Sequence, residues 1–325
     1  MKEINVLSLF DGMSCGRIAL GRADIKVKNY YSSDIKDYAI EVASNNYPQD
    51  NKNRLGDITT INGSDLLTID LLIGGSPCQD FSGANKDRLG VEGSKSRLFY
   101  ELLRLKNEIQ PKYFLFENVK MKKEHQDIIS KELGCEPIKI NSIDFSPQNR
   151  TRLYWTNIPI VTPKYYDIGL NDILEHGWWN DKYKRKERGR PEKNKARCLL
   201  SSDSRPLSTP IKMFHRYFTT GFTTLIFKSE KHYLDCADHY IKNFKGLKAQ
   251  VQNGQKFGGI DQKILDFNID LSVYEGVRYL TQQEREDCQT VPRGYTDGLT
   301  NNQVACILGD GWTIDVIAHI FKGLK

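Results

Sequence analysis

One short apolar run, ending in two glycines and a Pro-Cys pair, constrains this chain more than any other stretch. Asp70-Leu71-Leu72-Ile73 leads into Gly74-Gly75-Ser76-Pro77-Cys78-Gln79. A brief apolar run without alternation, closed by glycines, predicts a central parallel strand whose carboxyl end opens into a loop. In open α/β sheets the working groups stand at those carboxyl ends. Cys78 is therefore either a nucleophile, its thiolate favoured by a positive environment, or a buried and inert thiol.

The segments before this run predict turns of related kind. Asn5 to Phe10 suits a first strand, which passes through Asp11-Gly12-Met13-Ser14-Cys15-Gly16 into a helix from Arg17 to Arg22. Strand, glycine turn and helix form the opening of a nucleotide-type site. Glycines at 12 and 16 do not make Gly-x-Gly-x-x-Gly, and no Gly-Lys-Ser/Thr pair cradles a phosphate chain. The turn suits a cofactor without phosphates. A second strand, Lys28 to Ser33, delivers Asp34, which either takes ribose hydroxyls or caps a helix starting near Lys36. Asp57, in Gly56-Asp57-Ile58-Thr59, could meet an adenine amino group. Three such turns, each expected to follow a strand, together suggest a bound adenosine.

Beyond Cys78, residues Gln79 to Lys95 are polar and glycine-bearing, too long for an ordinary connector and of the kind that forms active-site lids. Leu98, Leu102, Leu105 and Ile109 recur at helical spacing and read as core, with Pro111 ending the helix. Tyr113 to Phe116 predicts another buried strand, which delivers Glu117-Asn118-Val119. Glu117 is either a general acid or a salt-bridged loop carboxylate. In Gln148-Asn149-Arg150-Thr151-Arg152, alternate residues share a strand face. The arginines then bind a base oxygen or a phosphate, or sit on a solvated edge.

Composition narrows the class. The chain has 325 residues, room for one large and one smaller domain. Seven cysteines without a Cys-x-x-Cys pair argue against a zinc site or disulfide framework and for a reducing cytosol. No run approaching the ~18 apolar residues of a membrane span is evident, and the acidic, polar start does not suit a signal peptide. The net charge is +6, and residues 181–197 carry nine Lys or Arg against three acids, so this segment alone is +6. It is either a solvated loop or a phosphate-contacting one. Phe214, His215, Arg216, Tyr217 and Phe218 form a mixed basic and aromatic patch, which suits nucleic acid or a small core.

Phe10-Asp11-Gly12, Gly75-Ser76-Pro77-Cys78-Gln79, Glu117-Asn118-Val119 and Gln148-x-Arg150-x-Arg152, in that order, resemble the DNA cytosine carbon-5 methyltransferases, in wording closest to the animal de novo branch and its phage and bacterial relatives. Arg278-Tyr279-Leu280-Thr281-Gln282-Gln283-Glu284 and Gly309-Asp310-Gly311-Trp312 resemble two later stretches of that family. The likeness covers residues 1 to about 158 and about 275 to 325.

This resemblance implies a doubly wound, mostly parallel α/β sheet of the S-adenosylmethionine-dependent methyltransferase type, with a smaller target-recognition domain. The expected division is 1–158 for catalysis and cofactor, 159–274 for target recognition, and 275–325 returning to the catalytic domain. It implies S-adenosylmethionine as cofactor and a flipped cytosine in double-stranded DNA as substrate, through a covalent Cys78 adduct with Glu117, Arg152 and Arg150 assisting. Phe10, Gly12, Met13, Ser14, Asp34, Ile35, Asp57, Ile58, Pro77, Leu98, Asp310, Gly311 and Trp312 would line the cofactor site. The family's usual Gly-x-Gly-Gly is here Gly12-Met13-Ser14-Cys15, and its common Gly-Asn-Ser is here Gly309-Asp310-Gly311. Gln79, Ser82, Lys86, Arg88, Lys184, Arg185, Lys186 and Arg216 would contact DNA. A cognate restriction endonuclease is a candidate partner. The expected setting is a bacterial cytoplasm, or a phage protein in its host's, as a monomer or weak homo-oligomer with no metal and no membrane. A tRNA cytosine methyltransferase and an inactive DNA-binding paralogue are the alternatives.

Overall fold

The computed structural model describes residues 3–77, 97–161, 166–179, 195–204, 217, 223–244 and 270–324. Six strands form one sheet in the order β2-β1-β3-β4-β6-β5. β1 (Ile4–Leu9), β2 (Val27–Ser33), β3 (Leu71–Gly74) and β4 (Tyr113–Val119) pair in parallel. β6 (Thr151–Thr156) runs antiparallel between β4 and β5 (Ile138–Asn141). The Leu71–Gly74 run is thus the central strand that its unbroken apolarity predicted.

Helices cover both faces because alternation along each strand makes both faces apolar. Val6, Leu71, Ile73, Leu115 and Tyr154 point into one core. α1 (Cys15–Arg22) and α2 (Asp37–Asn46) contribute Ile18, Ala39 and Val42 to it. Leu7, Leu9, Leu72, Phe116 and Trp155 point into the other. There α3 (Arg97–Ile109) adds Phe99, Leu102 and Leu105, and α4 (Lys123–Leu133) adds Ile129 and Leu133. Gly16 marks how closely α1 lies on the sheet: a Cβ there would stand 2.3 Å from Ile73 Cδ1.

The C-terminal stretch closes the first core. Thr281 opens α6 (Gln282–Cys288) with a reciprocal capping box to Glu284. Arg278 then donates from both terminal nitrogens to the Glu284 carboxylate, at 2.7 and 2.8 Å. The Arg-x-Leu-Thr-x-x-Glu pattern is therefore one local device, a helix cap locked by a bidentate ion pair. Residues 301–324 are long and apolar enough to cross a membrane, contrary to the reading of the sequence, but most of the stretch is buried in the protein. It breaks at Gly311–Thr313 into α7 (Asn301–Asp310) and α8 (Ile314–Phe321). α8 packs on α1, with Arg22 paired to Asp315 at 2.6 Å.

In the middle of the chain, Trp179, Tyr217, Phe227 and Tyr233 stack edge to face around the buried Arg197 guanidinium, with α5 (Glu230–Phe244) alongside. Tyr217 is thus core rather than a nucleic-acid contact. Phe214, His215, Arg216 and Phe218 lie outside the described residues. Two of the nine cations in 181–197 are also interior. Lys195 Nζ donates to the carbonyls of Ile143, Ser146 and Ile168, and Arg197 to those of Tyr217 and Thr223. Both hold backbone, not phosphate.

Candidate active site

Register places the site. Ser33, Leu9, Gly74, Phe116 and Trp155 form one row across five strands. The next residue along each parallel strand is Asp34, Phe10, Gly75 and Glu117. Four motifs distant in sequence thus meet at one edge of the sheet, and they line a cleft of about 480 Å³.

The turn after β1 is wound tightly. Phe10, Gly12 and Ser14 all have positive φ, at 56°, 57° and 64°. For Phe10 this is a strained conformation, of the kind that persists only where neighbours enforce it. Here they do. Asp34 Oδ2 accepts from Gly12 N at 2.7 Å, Asp11 N donates to Ser33 O at 3.0 Å, and the Tyr295 hydroxyl donates to Met13 O at 2.8 Å. Asp11 is buried, and burial pushes its carboxyl up to about 6 despite hydrogen bonds from Ser14 and Tyr30.

Asp34 does not cap α2. Its other oxygen accepts from Ile35 N and Lys36 N, so the carboxylate ties the ends of β1 and β2 together. Ile35 is 71% exposed in the cleft wall, an apolar plate. Asp57 also departs from expectation. It follows no strand; a 3-10 turn and a lone bridge between Ser32 and Arg54 precede it. It caps the next 3-10 turn, accepting from Thr59 N at 2.9 Å.

Of the residues expected at the cofactor, Phe10, Gly12, Met13, Asp34, Ile35, Asp57, Ile58, Pro77, Leu98, Asp310, Gly311 and Trp312 all line this cleft. Ser14 does not. Its hydroxyl turns inward to Asp11 Oδ2 at 2.6 Å, because the left-handed turn points that side chain at the core. The same cleft holds Glu117, Arg150 and Arg152.

Glu117 and Arg152 meet diagonally across the antiparallel β4–β6 pair, Glu117 lying opposite Tyr154 and Val119 opposite Arg152. Arg152 Nε sits 2.9 Å from Glu117 Oε1, with both side chains largely buried. Trp312 Nε1 donates to Glu117 Oε2 at 3.1 Å. Arg150 and Gln148 are buried too, so this is no solvated edge strand. Arg150 Nη2 donates to Gly309 O and Gly311 O, and Gln148 Nε2 to Cys288 O. Arg150 therefore fixes the C-terminal stretch against the sheet rather than facing the cleft with a free head.

Several contributors had no assignment from sequence. Asn118 Nδ2 donates weakly to Ser76 O and Oγ, at 3.4 and 3.3 Å, latching the loop that leads to Cys78. Lys36 Nζ pairs with Asp310 Oδ2 across the cleft mouth at 2.7 Å. Cys198 Sγ accepts from Arg150 Nη1 at 3.3 Å. Burial raises that thiol, but the Arg150 and Arg152 charges prevail and hold it below its ordinary value. The Asn-Val after Glu117 and the lysine two residues past Asp34 were visible signals; Cys198 had none. Cys78, Gln79, Ser82, Lys86, Arg88, Lys184, Arg185, Lys186 and Arg216 lie outside the described residues.

The donor set suits a particular ligand chemistry. The cations in the lining are engaged, Lys36 by Asp310, Arg150 by carbonyls and Arg152 by Glu117. Beside them stand the carboxylates of Asp34 and Asp57, both accepting from backbone N–H groups, the apolar Phe10, Ile35, Ile58 and Leu98, and the neutral polar Ser8, Thr59 and Ser76. Such a lining favours an adenosine carrying positive charge and no phosphate.

Comparison with known proteins agrees. The family model for C-5 cytosine-specific DNA methylase matches residues 4–325. The chain is 30% identical over 263 residues to the Type II methyltransferase M1.ScrFI of Lactococcus lactis subsp. cremoris, covering 71% of this chain and 66% of that protein. It is 32% identical over 192 residues to the orphan methyltransferase M.Rho11sI of Bacillus phage rho11s, covering 54% of this chain and 38% of that one. The chain thus spans between about two fifths and two thirds of these relatives' length. The structure of the Entamoeba histolytica methyltransferase EhMeth superposes with a TM-score of 0.64 at 18% identity, covering 100% of both chains. The fold is thus the one seen in that methyltransferase. The chain belongs to the C-5 cytosine-specific DNA methylase family.

Proposed function

We propose that this protein transfers a methyl group from S-adenosylmethionine to carbon-5 of a cytosine turned out of duplex DNA. The observation that carries the reading is the Glu117 carboxylate. It is held by Arg152 on one oxygen and Trp312 on the other, in a cleft that runs from the cofactor-type lining to Pro77, the residue before Cys78.

Cytosine carbon-5 is a weak nucleophile until a thiolate adds at carbon-6. Cys78 supplies that thiolate, forming the sulfur–carbon bond as Glu117 holds nitrogen-3 and the exocyclic amine and delivers a proton to nitrogen-3. Carbon-5 becomes the nucleophilic end of an enamine. Arg152 faces the ring oxygen, and Arg150 supports it by fixing the backbone behind. Groups of this kind each contribute ~2–4 kcal/mol of barrier lowering. S-adenosylmethionine, when bound, supplies an electrophilic methyl sulfonium. Asp34 and Asp57 would hold its adenosine, while Phe10, Ile35, Ile58 and Trp312 would enclose it. Loss of the carbon-5 proton to a base such as water then expels the Cys78 thiolate, and nitrogen-3 returns its proton to Glu117, which restores the neutral aromatic ring.

The target atom is shielded inside a duplex, so the base leaves its stack at a cost of a few kcal/mol. Residues 79–95 close over the DNA, with Gln79, Ser82, Lys86 and Arg88 in contact. Residues 159–274 select the sequence, Lys184, Arg185, Lys186 and Arg216 touching the polymer, while 1–158 and 275–325 make the catalytic body. The test is duplex DNA carrying 5-fluorocytosine, incubated with protein and methyl donor. A protein–DNA adduct that survives a denaturing gel, and is lost in Cys78→Ala, supports the reading. Absence of any adduct on random-sequence DNA, or an adduct on tRNA alone, overturns it.

A further inference from the structure

We infer that Trp312 is a positioning residue for Glu117, so that a wall of the cofactor cleft also sets the carboxylate that holds the target base. The inference rests on the methyl-transfer reading above. Its basis is a contact between four separate parts of the chain. Trp312 Nε1 donates to Glu117 Oε2 at 3.1 Å, while Arg152 Nε occupies Oε1 at 2.9 Å. Both neighbours are donors, so the carboxylate is fixed at each oxygen and cannot rotate about its last torsion without losing a bond.

The fourth part is Gly75. A Cβ at this position would lie 3.0 Å from Glu117 Oε2 and 3.2 Å from Trp312 Nε1. Only a bare backbone lets the indole reach the acid, and that backbone is three residues from Cys78. The chain on either side of the indole is anchored. Gly311 O accepts from Arg150 and Gln289, and the Thr313 hydroxyl donates to Gln289 Oε1 at 2.7 Å. Trp312 also lines the cleft, half-buried. Whatever fills the cleft against the ring therefore bears on the donor that holds the acid.

Trp312→Phe keeps a smaller aromatic plate and removes the N–H. Gly75→Ala wedges a methyl group between donor and acceptor. Each is expected to lower kcat about tenfold, with the equilibrium Kd for S-adenosylmethionine kept within about threefold. The two substitutions break one link, so the double variant is expected to lose about tenfold as well, not a hundredfold. A weaker Kd with unchanged kcat in Trp312→Phe would make the residue a cofactor plate only and overturn the inference. A multiplicative loss in the double variant would overturn it too, by showing two independent roles. The parent reading fails differently, through absence of the 5-fluorocytosine adduct in the unsubstituted protein.

Discussion

Glu284→Gln is expected to destabilise the protein by about 3–5 kcal/mol, and the structure accounts for the size. Glu284 is fully buried. Its Oε1 accepts from Arg278 Nη2 at 2.8 Å and Glu175 N at 3.0 Å; its Oε2 accepts from Arg278 Nη1 at 2.7 Å and Thr281 N at 2.9 Å. Glutamine has the same shape but must turn an NH₂ toward one of these two pairs. Either orientation sets a donor against two donors, and each stranded group costs about 1–3 kcal/mol. Breaking a buried ion pair from one side costs about 3–5 kcal/mol, which agrees. The pH dependence gives a second handle. Burial raises the Glu284 carboxyl, but the hydrogen bonds and charge of Arg278 outweigh it and hold it below its ordinary value. A depressed folded value means the stabilisation is complete above about pH 4.5 and is lost as pH falls through it. Urea denaturation of both proteins at pH 7 and again at pH 4 is the assay. A loss under about 1 kcal/mol at pH 7, or a gap between the two proteins that does not narrow in acid, would refute the reasoning.

Two further outcomes address chemistry and binding. Glu117→Gln keeps the shape of the side chain but cannot deliver the proton to nitrogen-3, so turnover on DNA should fall by about 10²–10³-fold while duplex binding in a gel shift persists; near-normal turnover would remove Glu117 from the reaction. Replacing Lys184, Arg185 and Lys186 by glutamine should weaken binding to every sequence and reduce the slope of log K against log salt by up to about 3; an unchanged slope would place that segment away from the phosphates.

Much of the catalytic half was legible because strand ends carry their own punctuation. Leu71 to Gly74 could only be a buried parallel strand, and the residues after it, after Leu9 and after Phe116 had to emerge at one edge of the sheet once the strands paired in parallel. The less legible parts depended on partners far away in sequence. Ser14 looked like another residue of the cofactor turn, yet a left-handed backbone aims its hydroxyl at Asp11. Lys195 and Arg197 looked like two more charges in a basic run, yet buried carbonyls claim both. A charge pattern does not tell a solvated lysine from one that pins a loop from within. The apolar 301–324 stretch had the opposite ambiguity, since membrane and protein core reward the same composition.

Local chemistry, then, was decided by sequence alone where it was strongest: which apolar runs form β1 to β4, which glycines and acids follow them, and which motif set places the chain in its family. These follow from short-range propensities that no distant partner overrides. Tertiary structure alone decided how the acid is held. Gly75, Glu117, Arg152 and Trp312 come from the end of β3, from β4, from β6 and from the α7–α8 break, and only sheet register and the return of the C-terminus bring donor to carboxylate. Hydrogen bonds act over about 3 Å, so their partners are a property of the folded chain and not of any stretch of it.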